Sequence, residues 1–253
     1  MIKLCLVGAR GRMGRQFSSA TAESSDLSIV CGISRSDGDS LGSFPIYEGV
    51  PAESFDVVVD FSSPQGVIAA LEAAKSRNVP LVVGTTGIDQ DALEALRQYA
   101  AEQAVVVTSN FSIGMNTMFW LASQLGERLN EGFDAEVFEV HHRHKKDAPS
   151  GSALTIASNI ARARKMNPAE VLVTARGGKA ESRSAEQVGV AALRGGDVAG
   201  EHTMYFFGEG ERIEVTHRVS DRKIFAQGAV IAAKWIVTQP AGLYSMMDVL
   251  GFS

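Results

Sequence analysis

Apolar residues in the first half of the chain come in short continuous runs, each followed by a stretch with helical spacing. The runs are KLCLVG (3–8), LSIVCGIS (27–34), FDVVVDFS (55–62), PLVVGTT (80–86) and AVVVTSN (104–110). Each is rich in valine, leucine or isoleucine, as a strand buried on both faces is. Between them, RMGRQFSSATAE (12–23), GVIAALEAAKSR (66–77) and DQDALEALRQYAAEQ (89–103) repeat their apolar positions at helical intervals. Such strands separated by helices predict a parallel sheet covered on both faces, a doubly wound α/β domain of Rossmann type.

The pattern then changes. After a helix near 114–130, FDAEVFEVHH (133–142) alternates apolar and polar residues, as a sheet with one exposed face does. ALTIASNIARARK (153–165) is again helical in its periodicity, while HTMYFFG (202–208) and ERIEVTHR (211–218), parted by a glycine turn, read as an antiparallel pair. FAQGAVIAAKWIVTQ (225–239) returns to helix. The expected organisation is a discontinuous first domain, residues 1–111 and 221–253, and a second α+β domain with a mixed or antiparallel sheet at 112–220.

A chain of 253 residues that is 45% hydrophobic has the material for two such cores. A net charge of -5 argues against nucleic acid or an anionic membrane as partner. No apolar stretch approaches the roughly 20 residues that cross a bilayer. The start, MIKLCLVGARG, lacks the layout of a signal peptide, so a cytoplasmic protein is expected. Cys5 and Cys31 fall inside strand-like runs and read as buried free thiols rather than a disulfide or a metal site.

The first chemical signal is GARGRMG at 8–14, a G-x-x-G-x-x-G turn between a strand and a helix. In that context glycines let a diphosphate approach the helix N-terminus. The second strand should then end at the adenosine ribose, where an acid selects NAD. Here Ser34 stands there, followed by Arg35, a cation that favours the 2′-phosphate of NADPH; Asp37 keeps NADH open. GTTG (84–87) and TSNFSIG (108–114) fall at the same sheet edge, where open α/β sheets bind ligands.

The second signal is HHRHKKDAPSGSA at 141–153, which holds three of the five histidines. A zinc site lacks further ligands nearby, because a strand running on to 144 would put His142 and His144 on one face and His141 on the other. A nucleic-acid patch lacks interleaved aromatics. A solvated charged loop would explain a plain lysine pair, but not the proline and the Ser-Gly-Ser turn that come directly after it. Ser150 stands where it would cap the helix at 153–165, so the amides of Gly151 and Ser152 form an anion site reinforced by the helix dipole. Cations beside a helix start suit a small substrate with more than one carboxylate, and histidine with lysine supplies protons near neutral pH.

GARGRMG, VVGTTG, SNFSIGMN, LRGGDVAGEHT and above all EVHHRHKKDAPSGSA resemble the dihydrodipicolinate reductase (4-hydroxy-tetrahydrodipicolinate reductase) family of the diaminopimelate–lysine route. The resemblance runs, in order, from residue 3 to the MMDVLG tail. It implies NAD(P)H-dependent reduction of 4-hydroxy-tetrahydrodipicolinate to tetrahydrodipicolinate with loss of water. His141 matches the family's catalytic acid/base and Lys145 its proton donor. His142, Gly151 and Ser152 match its substrate-carboxylate contacts. Gly8, Ala9, Arg10, Gly11, Arg12, Met13, Arg35, Gly84, Thr85, Thr86, Thr108, Ser109, Asn110 and Phe111 match its dinucleotide contacts. Ser152 replaces the family's usual threonine, and Ser34 the acid many members carry, which puts NADH preference in doubt. The resemblance also implies a homotetramer; no metal is expected, from the poor ligand set around His142 and His144. Another two-domain dehydrogenase of aspartate-derived metabolites and a non-enzymatic NAD(P) sensor are the alternatives; a sensor would not need His141 and Lys145 beside an anion-binding helix start.

Overall fold

The computed structural model of the protein describes residues 1–34, 44–177 and 182–252. Its elements, in chain order, begin with β1 (Ile2–Val7), α1 (Arg12–Ala22), β2 (Leu27–Ile33), β3 (Ile46–Tyr47), β4 (Val57–Asp60), α2 (Val67–Arg77), β5 (Leu81–Val83), α3 (Gln90–Ala100) and β6 (Ala104–Val107). Next come α4 (Ile113–Arg128), β7 (Asp134–His141), α5 (Gly151–Ala163), α6 (Pro168–Val171), β8 (Leu172–Val173), β9 (Val188–Arg194), β10 (Glu201–Gly208) and β11 (Glu211–Arg218). The chain ends with α7 (Lys223–Ile236), β12 (Gly242–Tyr244) and α8 (Met246–Val249). Two compact units result, Met1–Ile113 with Lys223–Ser253, and Gly114–Arg222. Both crossings lie two residues beyond the positions expected from the sequence.

The sheet of the first unit has seven strands, all parallel, in the order β12-β6-β5-β4-β1-β2-β3. Successive residues of β1 serve opposite faces. Leu4 and Leu6 join Phe17 of α1 and Ala229, Ala232 and Ile236 of α7 in one core; Cys5 and Val7 join Ala70 and Ala74 of α2 and Leu96 and Tyr99 of α3 in the other. Burial on both sides is why these strands read as continuous apolar runs. Cys5 and Cys31 are register partners on β1 and β2, both free and both buried. The strand order reverses between β1 and β4, and such a switch point opens a crevice at the carboxyl ends of the strands.

The second unit carries a mixed five-stranded sheet in the order β11-β10-β7-β9-β8. β10 runs antiparallel to β7 and β11, whereas β9 runs parallel to β7 and β8. Burial alternates strictly along β7, with Ala135, Val137, Glu139 and His141 on the covered face. Ile156 and Ile160 of α5 and Met115 and Met118 of α4 cover that face together with Met204 and Phe206 of β10. Among the described residues, no helix is long and apolar enough to cross a membrane.

Candidate active site

β1 delivers the glycine turn to the switch point of the first sheet. Gly8 holds φ +78°, and a Cβ there would sit 2.4 Å from the Phe61 carbonyl oxygen, so only glycine lets the turn lie against the end of β4. Gly11 is the N-cap of α1, and its amide donates to the Gly8 carbonyl at 2.9 Å. A Cβ on Gly14 would meet that same carbonyl oxygen at 2.3 Å, so α1 starts flush against the strand. The first turn of α1 carries no acidic residue. Bare backbone at a helix N-terminus, without a competing anion, fits a diphosphate.

Two clefts flank this turn. One, of about 310 Å³, is lined by Gly8, Gly11, Ile33, Ser34, Glu48, Phe61, Ser62 and Ser63 among others. The second, of about 460 Å³, is lined by Arg12, Met13, Phe61, Ser62, Gly84, Thr85, Thr86, Ser109, Asn110, Phe111 and Phe225. Both contain Phe61 and Ser62, so together they suit an elongated ligand with a diphosphate at its middle. Ala9, Arg10 and Thr108 line neither cleft. Ala9 is 1% exposed, with its methyl turned toward Gly32, and brings only backbone to the turn. The Arg10 carbonyl accepts from Arg15 Nε at 3.1 Å. The Thr108 hydroxyl donates to the Asn110 carbonyl at 3.0 Å and accepts from the Asn110 amide at 3.2 Å, bending the chain that presents Ser109 to Phe111. Arg35 lies outside the described residues.

The segment after β4 is the part of this edge that sequence reasoning missed. Asp60 is fully buried; its Oδ1 accepts from the Ser62 amide at 3.1 Å and from the Ser62 hydroxyl at 2.5 Å. The Ser62 amide also donates to Thr85 Oγ1 at 3.0 Å, tying the ends of β4 and β5 together. Burial raises the Asp60 carboxyl, and the Ser62 and Thr85 hydrogen bonds partly offset it. The signal was available, since DFS ends a strand on the same edge as GTTG and TSN. Glu48 follows the two-residue β3, which has no periodicity to read.

On the second unit, β7 stops at His141, so the strand does not run on to residue 144. His142 is half-buried and His144 exposed, with ring centroids 6.3 Å apart. Glu139 is the hub. Its Oε2 lies 2.6 Å from His141 Nδ1 and accepts from Arg194 Nη1 at 2.8 Å; its Oε1 accepts from Arg194 Nη2 at 2.9 Å and from the Ser150 amide at 2.9 Å. Burial alone would raise this carboxyl, but Arg194, His141 and the Ser150 amide outweigh it and hold it below the usual range. Burial in turn lowers His141, against the pull of Glu139, and the charges of Lys145 and Arg194 act with burial. A neutral ring bonded through Nδ1 presents Nε2. Gly200 has φ +154°, and a side chain there would come within 3.0 Å of that nitrogen; glycine keeps the edge clear.

Ser150 caps α5 as its sequence position predicts, its Oγ accepting from the Ala153 amide at 3.2 Å. Gly151 and Ser152 form the first turn. Ser150 Oγ also lies 3.1 Å from Nε2 of His202, a residue sequence reasoning did not single out. His202 packs edge-on to His141 with ring centroids 5.1 Å apart. Lys145 Nζ pairs with Asp147 Oδ2 at 2.9 Å. Glu139 thus links the His141 ring to the start of the helix, with Lys145 in the loop between them. Among the described residues, no group of three or more His, Cys, Asp or Glu side chains is disposed to hold a metal ion.

Comparison with known proteins accounts for both units. Residues 2–111 match the family described as Dihydrodipicolinate reductase, N-terminus, and residues 114–250 match Dihydrodipicolinate reductase, C-terminus. A protein of Myxococcus xanthus (strain DK1622) named 4-hydroxy-tetrahydrodipicolinate reductase is 41% identical over 268 residues, covering 100% of this chain and 98% of its own. A protein of the same name from Campylobacter jejuni subsp. jejuni serotype O:2 is 39% identical over 251 residues, covering 99% and 100%. Among solved structures, the dipicolinate-bound dihydrodipicolinate reductase of Paenisporosarcina sp. TG-14 superposes with a TM-score of 0.82 over 98% of each chain. At 22% identity that likeness concerns the fold. The aspartate dehydrogenase of Thermotoga maritima is more distant, with a TM-score of 0.51 and 11% identity. With profiles matched across both units and relatives aligned along nearly their whole length, the chain belongs to the dihydrodipicolinate reductase family.

Proposed function

We propose that the protein reduces 4-hydroxy-tetrahydrodipicolinate to tetrahydrodipicolinate, with loss of water, using a reduced pyridine nucleotide in the diaminopimelate route to lysine. The observation that carries this reading is the Glu139–His141 pair built against the capped start of α5, a proton carrier and an anion seat fixed to one carboxylate. The names of the relatives and the dipicolinate held by the solved neighbour support the same substrate class.

Gly8, Ala9, Arg10, Gly11, Arg12 and Met13 would hold the dinucleotide at its diphosphate, with Ser34 and Arg35 toward the ribose. Gly84, Thr85, Thr86, Thr108, Ser109, Asn110 and Phe111 would line the rest of its site. When bound, the dinucleotide supplies the hydride. His142 and the Gly151–Ser152 turn hold the substrate's carboxylates. Reduction leaves an enamine that must gain a proton, and Lys145 and His141 provide it. Lys145 is paired with the exposed Asp147; His141, its Nδ1 engaged by Glu139, exchanges protons through Nε2.

NADPH is the favoured cofactor, from Arg35 and from the serine in the acid's place; NADH is the alternative. The same reading includes a homotetramer formed through the outer face of the second sheet. There Tyr205 and Phe207 stack with planes 5° apart and Leu193 is 54% exposed. It also includes a cytoplasmic location, in which two buried free thiols persist. The test is oxidation of NADPH by the purified protein with the freshly made condensation product of pyruvate and aspartate semialdehyde. Turnover is expected with that product and not with aspartate semialdehyde alone; reduction of the semialdehyde by NADPH, or of NADP+ by homoserine, would replace this reading.

A further inference from the structure

A carboxylate with no solvent contact persists only where its oxygens are engaged. Glu139 is 0% exposed and both its oxygens are engaged, each by one arm of Arg194 and by one further donor. Register builds the arrangement. His141 stands opposite Arg194 across β7 and β9, and Glu139 opposite His202 across β7 and β10. A pair that served only the fold would need no more than the bidentate contact, and apolar residues of similar volume would serve as well. The contacts to a ring nitrogen and to a helix-start amide are what a purely structural pair does not require.

We propose that Glu139 and Arg194 are positioning residues for the reaction: Glu139 fixes the His141 ring through Nδ1 and the start of α5 through the Ser150 amide, and Arg194 cancels the carboxylate's charge so that the ring is oriented without being charged. The inference rests on His141 being the proton carrier. An unpaired carboxylate at 2.6 Å from an imidazole would stabilise the imidazolium. The charged and titratable groups facing the ring are Glu139 on its own strand, Arg194 on β9, Lys145 in the following loop and His202 on β10. With Arg194 in place the two cations outnumber the one anion, and a neutral His141 can act beside a charged Lys145.

The two partners should therefore move the ring in opposite directions. The experiment follows the imidazole of His141 by NMR across pH in the full-length protein, its signal assigned by loss in His141→Asn. Arg194→Met should raise its pKa by about one pH unit or more, Arg194→Lys should raise it less, and Glu139→Gln should lower it. The limb of the kcat against pH curve governed by this ring should follow each shift in sign. A merely structural pair would cost stability in every variant without shifts of opposite sign. An unmoved titration in Arg194→Met and Glu139→Gln overturns the proposal, and if Arg194→Met does not fold, Arg194→Lys with Glu139→Gln carries the same test of sign. Because the titrations need no turnover, an inactive wild-type protein would sink the functional reading alone.

Discussion

His202 is 3% exposed, and burial, reinforced by His141, pushes its pKa from the ordinary 6.5 down to about 4. A histidine depressed in the fold binds protons more readily when the chain unfolds. Its contribution is therefore complete above pH 6.5 and is lost as pH falls toward 4. At about 1.4 kcal/mol per pH unit, the whole swing is on the order of 3 kcal/mol. His202→Gln, which keeps a polar partner for Ser150, should flatten the acid side of a plot of Tm against pH; an unchanged slope would mean that this ring titrates normally. Lys145→Ala should cut turnover by about 10²–10⁴-fold while leaving NADPH affinity intact, because the residues proposed for the dinucleotide all belong to the other unit. Near-normal turnover would remove Lys145 from the proton path. On the proposed function, cofactor choice should also turn on single residues, and Ser34 and Glu48 line one cleft. Arg35→Ala should weaken NADPH more than NADH by about 1.5–3 kcal/mol. Glu48→Ala should shift preference toward NADPH, since it removes an anion that opposes a 2′-phosphate. Michaelis constants for both cofactors decide the matter, and equal changes would make Arg35 an ordinary surface charge.

Among the elements, α5 does the most with the least sequence. Ser150→Ala removes the acceptor for the Ala153 amide and the partner of His202, so a loss of about 1 kcal/mol from the cap alone is expected. The same variant should bind pyridine-2,6-dicarboxylate more weakly, whereas Ser150→Thr should restore both properties. Melting curves and calorimetry check this, and unaltered binding in Ser150→Ala would show that the cap does not shape the anion seat. This cap was legible because serine before an apolar helical period has a local cause. The strands of the first sheet were legible because burial on both faces leaves nothing but apolar residues in β5, β6 and the last four positions of β1. β9 was not, because its outward positions include Gly189 and Ala191, and a Cβ on Gly189 would fall 1.8 Å from Glu136 Oε2. Side chains that small leave no alternation to read. β3 and β12 are two and three residues long, held by pairing rather than pattern. β7 was legible as an alternating strand, but its alternation changes phase. Ala135 and Val137 are apolar and buried, but after them Phe138 and Val140 face outward while Glu139 and His141 take the buried positions. That reversal of phase puts polar residues on a covered face, the kind of local departure expected where a site is built.

At the scale of the whole molecule, the first unit is closed by a segment the chain reaches only after building the second. α7 packs on the same core as α1, and β12 extends the sheet beside β6. The chain therefore crosses between the units twice, after Ile113 and before Lys223, and neither unit holds both sets of proposed ligand residues. All the described residues proposed for the dinucleotide lie on the first unit; His141, His142, Lys145, Gly151 and Ser152 lie on the second. Hydride transfer needs its two carbons roughly 3–3.5 Å apart, so on the proposed function turnover would require both units to engage one pair of ligands. Hinges take up such motion at element ends, and SNFSIG and RVSDRK are the segments at the two crossings. Each ligand should then favour the arrangement the other requires. Pyridine-2,6-dicarboxylate is expected to bind about 5–150-fold more tightly when NADPH is present, and linkage demands the same factor for NADPH when the dicarboxylate is present. Calorimetric titration of each ligand with and without the other measures both factors. Identical affinities would mean that the two sites are uncoupled, and unequal factors would mean that the titrations report something other than one closed cycle of binding.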